Sequence, residues 1–251
     1  MIGDPQVQTW HRTLLVGSIG LVSLAAWLML WQFGVALHGP VHHHDHAASG
    51  SAFGLLFVGS WTVMTIAMML PTSVPLIATF QMIAGQRRDR SVLIALVVIG
   101  YLAMWAAVGL VFYVGGVLFQ QFAANSTWLQ ARTSAAGGLL FLVAGLYQFS
   151  PLKYRCLDKC RSPLSFVLGY WQGEHERRNA FQLGVHHGLF CVGCCWALML
   201  LMFAVGIGNI VWMLLLGAVM AVEKNVSWGR KLGPALGVLL VIGGLTMLAL
   251  T

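Results

Sequence analysis

Two histidines and three cysteines fall within ten residues, from His186 to Cys195, at the start of a long apolar run. On a helix turning about 100° per residue, His187, Cys191, Cys194 and Met202 share one face, with Cys195 at its edge. Imidazole, thiol and thioether are the donors that soft metal ions choose. A helical Cys-X-X-Cys reads as half a metal site or as a redox pair. Free cysteine also packs as a small hydrophobe, so core packing stands beside both readings.

A second pair, Cys156 and Cys160, has i,i+4 spacing, which puts both thiols on one face if the segment is helical. Lys153, Arg155, Lys159 and Arg161 surround them and would favour thiolate. The same basic residues also serve as plain topology signals. The two cysteine groups are expected on the same side of a membrane, where they could complete one site.

The stretch from His38 to His46 holds His38, His42, His43, His44 and His46 with Asp45. Such a cluster could bind copper, zinc or nickel through imidazole nitrogen. It could equally act as an unspecific metal sponge or a pH-responsive tether. Met64, Met68, Pro71, Pro75 and Met82 form a further stripe at helical spacing. Methionine at that spacing usually packs in a core, but Met68 beside two prolines is a candidate Cu(I) ligand, because broken helices often line ion paths. Glu223 is the acidic residue closest to an apolar run, and its neighbour Lys224 suggests an interfacial ion pair. No catalytic triad, P-loop or dinucleotide fingerprint is present, which argues against an enzyme.

These residues must be positioned by apolar helices. The 251-residue chain is 59% hydrophobic and 8% charged, against about 25% charge in soluble domains. Its composition predicts an all-α, polytopic transmembrane bundle forming a single membrane domain, 1–251. Seven spans are expected near Thr13–Leu37, Phe53–Ile83, Ser91–Phe119, Thr133–Phe149, Leu183–Val205, Ile210–Val222 and Pro234–Leu250. The first run lacks a small-residue cleavage site and is read as a retained span. Pro71 and Pro75 should break the second, which is too long for a hydrocarbon core of about 30 Å. The longest connection, Ser150–Gln182, is read as a loop whose apolar part, Pro163–Gln172, lies in the interface or dips in.

With the N-terminus inside, thirteen of the fourteen Lys and Arg fall in inner segments and only Arg132 outside. That asymmetry predicts N-terminus in and C-terminus out. It also explains the net charge of +7 without nucleic acid. The histidine loop then faces out, and Cys156 and Cys160 sit at the reducing cytoplasmic surface. Five cysteines, an odd number, do not suggest a disulfide framework.

Several motifs together resemble the DUF2182 family of predicted metal-binding integral membrane proteins of bacteria. They are Ala67-Met68-Met69-Leu70-Pro71 with Pro75, Gly145-Leu146-Tyr147-Gln148 through Lys153, Cys156 to Pro163, His187 to Trp196, and Glu223-Lys224. The resemblance covers roughly Phe53 to Lys231 and implies metal binding.

The combined expectation is a copper- or zinc-handling protein of the bacterial inner membrane, partnered by lipid, metal ion and a further membrane protein. The histidine loop would collect metal, and His187, Cys191, Cys194 and Cys195 would hold it. Cys156 and Cys160 would receive it. A membrane thiol oxidoreductase, and a non-catalytic subunit or assembly factor of a membrane metalloenzyme, are the alternatives.

Overall fold

The computed structural model describes residues 5–38, 50–85, 87–125, 133–171, 175–205 and 209–250. The histidine-rich stretch with His42, His43, His44 and His46 lies outside them. Among the described residues the fold is all-α. The helices are α1 (Pro5–His38), α2 (Gly50–Met68), α3 (Val74–Ala84), α4 (Arg90–Ala124), α5 (Thr133–Tyr147), α6 (Pro151–Cys160), α7 (Pro163–Tyr170), α8 (Glu176–Val205), α9 (Ile210–Asn225) and α10 (Leu232–Ala249).

Four described segments are long and apolar enough to cross a membrane: Thr13–Gln32, Arg90–Phe122, Glu176–Met202 and Gly229–Ala249. Two bent pairs bring the number to six if each is one span. They are Gly54–Met68 with Pro71–Ala84, bent by 49°, and Ala135–Tyr147 with Pro151–Cys160, bent by 67°. The remaining expected span, Ile210–Val222, corresponds to α9, whose 16 residues reach only about 24 Å.

The expected loop Ser150–Gln182 is mostly helix. Pro151 and Pro163 each open a helix at its first position, where a missing N–H is no loss. Ser150 caps α6 by accepting the amide of Leu152 at 3.2 Å. Helix α7 buries Phe166 and Val167 and leaves Leu164 and Leu168 exposed. Helix α8 starts at Glu176, well before the expected Leu183, with that acid in its first turn, where the helix dipole favours it.

The break in the second span is built around lost hydrogen bonds. Pro71 offers no N–H to the carbonyl of Ala67. Two α1 side chains replace it: Ser23 Oγ donates to that oxygen at 2.8 Å and Trp27 Nε1 at 3.1 Å. At the carbonyl of Met69, Thr72 Oγ1 donates at 2.7 Å and Tyr101 hydroxyl of α4 lies at 3.4 Å. A short 3-10 turn, Pro71–Ser73, joins the two halves.

Glycine lets α4 and α8 cross closely. A Cβ on Gly184 would stand 2.0 Å from the Val97 carbonyl oxygen, and one on Gly100 2.2 Å from that of Phe181. These neighbours are backbone atoms, so neither helix can yield by a rotamer change. Gly184→Ala should therefore lower the thermal unfolding midpoint in detergent, by an overpacking cost of about 1–3 kcal/mol. Gly17→Ala, which meets nothing within 4 Å, should leave the midpoint unchanged; equal effects would contradict the close crossing.

Candidate metal centre

The α8 face is as the spacing predicts. His187, Cys191, Cys194 and Cys195 are all buried on one helix. The α4 crossing brings Tyr101 onto it, with its hydroxyl 3.1 Å from Cys191 Sγ. The Tyr101 ring stacks on His187 at 5.5 Å between centroids. His187 Nε2 lies 3.2 Å from Ser73 Oγ in the α2–α3 break. Its Nδ1 is buried with no hydrogen-bond partner among the described residues.

The thiols of Cys194 and Cys195 donate to the carbonyl of Cys191, at 3.1 and 2.9 Å. Cys195 Sγ lies 3.9 Å from Met69 Sδ. From α6, the half-buried Cys160 lies beside Cys194. Cys156 is buried against Gly193, where a Cβ would stand 2.5 Å from its Sγ. Three elements (the proline break, α6 and α8) thus supply a group of sulfurs. All five cysteines are free.

Lys224 enters this cluster from the last turn of α9 and is buried. Its ammonium donates to Cys191 Sγ at 2.8 Å, Met69 Sδ at 3.6 Å and Thr72 Oγ1 at 3.4 Å. All three N–H directions have an acceptor. The expected pairing of Glu223 with Lys224 is replaced by another. Glu223 Oε1 accepts from Lys153 Nζ of α6 at 2.6 Å, and Lys153 also donates to Gln148 Oε1. Arg161 donates to the backbone carbonyls of Glu223 and Ser227. Lys153 and Arg161 are thus engaged away from the thiols that they flank in sequence, and Arg155 and Lys159 are exposed.

Met68, the methionine expected as a ligand, is buried but lines a neighbouring cavity of about 340 Å³ between α1, the α2–α3 break and α9. Its neighbour Met69 is the one whose sulfur meets the thiols. Thr72 lines the same cavity and also accepts from Lys224. Among the described residues, no three His, Cys, Asp or Glu side chains surround one point as a metal ion would need. The donor set still fits a soft monovalent ion, which two sulfurs can hold in line.

The Lys153–Glu223 pair is nearly inaccessible to solvent. Removing one partner strands a buried charge at a cost of about 3–5 kcal/mol, whereas removing both need not. Glu223→Gln and Lys153→Met should each lower thermal stability in detergent, and Glu223→Leu combined with Lys153→Met should recover much of the loss. Additive losses would show the pair to be uncoupled.

Comparison with known proteins agrees with the sulfur chemistry. No curated protein and no solved structure matches the chain. The PpoB2 family model, described as a copper chaperone, matches residues 58–247. That span contains every residue of the sulfur cluster and excludes the histidine-rich stretch. The DUF2182 resemblance pointed to a metal-binding membrane family; the family that matches carries the PpoB2 label and names copper. Since the match covers more than half of the sequence, the chain belongs to the PpoB2 family of copper chaperones.

Proposed function

We propose that this protein is an integral carrier of Cu(I) in the bacterial inner membrane that delivers the ion to a partner membrane protein. Copper is the cargo. Cys160, Cys191, Cys194, Cys195 and Met69 are its successive ligands, and His187 is a nitrogen donor at the edge of the path. The observation that carries this reading is the group of sulfurs, buried on α8 and at Met69 and half-buried at Cys160, that links the proline break to α6. Thiolate and thioether ligands select Cu(I) over harder ions. Neighbouring sulfurs let an ion move by exchanging one ligand at a time, so it is never released into apolar surroundings.

The exterior supports membrane insertion. Large apolar side chains stay exposed along the long helices, among them Leu21, Val111 and Leu239, which suits contact with lipid. The cavity beside Met68 and Thr72 offers an approach to the cluster. Cys156 and Cys160 form the inner end of the path, and the outward histidine loop would raise the local metal concentration. Delivery to a metalloenzyme makes the protein an assembly factor in effect, without any catalytic step of its own.

Elemental analysis of protein purified anaerobically in detergent, without a histidine tag, tests the reading. Wild type should carry stoichiometric copper after Cu(I) loading, and a triple Cys191, Cys194, Cys195→Ser variant should carry none. Metal-free wild type with intact thiols would overturn the carrier reading. A mixed disulfide trapped with a partner would favour thiol oxidation chemistry instead.

A further inference from the structure

Lys224 brings a positive charge to a place expected to receive a metal cation. Its position needs an explanation, because burying an ammonium is costly unless it is paired. The carboxylate next to it in sequence, Glu223, is already bound to Lys153 at 2.6 Å. The atoms that face the Lys224 ammonium are two sulfurs and a hydroxyl. Anionic compensation has to come from the thiols. We propose that Lys224 sets the charge of the ion that this centre accepts, making it selective for soft monovalent ions, Cu(I) and Ag(I), over divalent ones. The inference rests on the copper-carrier reading above and adds to it the residue that enforces the preference for a monovalent ion.

The argument is charge counting in a site of low polarity. Two thiolates and a monovalent ion form a complex of charge −1, which the adjacent ammonium neutralises. Two thiolates and a divalent ion are already neutral, so the ammonium would be left buried and unmatched. With a divalent ion and the ammonium both in place, the site as a whole regains neutrality only with a third anionic ligand. Among the described residues no three such donors converge on one point. The adjacent Glu223 carboxylate is committed to Lys153. The monovalent complex is therefore the one whose charge the surrounding protein completes.

Geometry makes the effect local. Lys224 Nζ sits 2.8 Å from Cys191 Sγ, so the ammonium can remain as a hydrogen-bond donor to a metal-bound thiolate. It acts through the thiolate and not as a ligand, so Lys224 is a positioning and selectivity residue.

The test compares Cu(I), Ag(I) and Zn(II) binding by competition with chromophoric chelators, using full-length protein in detergent under anaerobic conditions. Lys224→Gln removes the charge at similar length, Lys224→Leu removes it with the polar head, and Lys224→Arg keeps it. The Cu(I)-to-Zn(II) affinity ratio should fall by about tenfold or more in the two neutral variants and hold in Lys224→Arg. A purely structural lysine would not divide the variants by charge. An unchanged ratio in the neutral variants overturns the proposal. Should those variants fail to fold, wild type still tests the charge argument: equal uptake of Zn(II) and Cu(I) overturns it, and a strong preference for both Cu(I) and Ag(I) is the result that it requires. Wild type that takes up none of the three ions overturns the carrier reading itself and, with it, this inference.

Discussion

Pro71 has no amide hydrogen, and much of the structure around the sulfur cluster follows from that. The carbonyl of Ala67 would be left unsatisfied inside an apolar bundle, so Ser23 and Trp27 of α1 dock onto it. Met69, just before the proline, keeps its α-type bond to the Thr65 carbonyl at 2.8 Å and stands one helical step, about 100°, round from Met68. The thioether of Met69 then reaches the α8 thiols while that of Met68 lines the cavity. Thr72 of the turn meets the Lys224 ammonium and Ser73 meets His187. A straight helix could not present these groups together. One missing hydrogen bond therefore fixes the docking of α1, and the turn that it opens supplies the partners of two buried polar side chains.

A second constraint is charge. Lys153, Lys224 and Glu223 are all buried, and each must find partners where water cannot serve. Glu223 and Lys224 are adjacent in sequence, yet they point in directions about 100° apart on α9. Glu223 turns to α6, where Lys153 and Arg161 bind its side chain and backbone. Lys224 turns to α8 and its sulfurs. The two residues thus tie one helix end to both cysteine-bearing elements. The close α4–α8 crossing completes the arrangement, since it brings Tyr101 against Cys191.

Much of this was legible in the residues. Helical periodicity placed His187, Cys191, Cys194 and Cys195 on one face, and the i,i+4 pair Cys156 and Cys160 does lie on one helix. Both prolines of the second span sit at its break, as their chemistry requires. Other features were hidden for identifiable reasons. Helix α6 is short and rich in charge, so hydropathy reads it as loop, although Ser150-Pro151 is a helix-start signal. Met69 was missed because the methionine stripe runs through Met68, and its neighbour stands one helical step of about 100° off that face, its amide still bonded to the Thr65 carbonyl at 2.8 Å. The partner of Lys224 was lost because neighbours in sequence are not neighbours on a helix surface. Tyr101 could have been found only through the glycines, which mark where α4 and α8 approach.

The central claim is that Cu(I) is held by sulfur inside the bundle. Copper K-edge X-ray absorption on anaerobically loaded, tag-free protein reads the ligands directly. The account predicts a Cu(I) edge and a low-coordinate first shell dominated by sulfur, retained when His42, His43, His44 and His46 are replaced by Ala. A shell of nitrogen and oxygen that disappears with those histidines would contradict it, placing the metal in the loop and leaving the buried sulfurs a packing role.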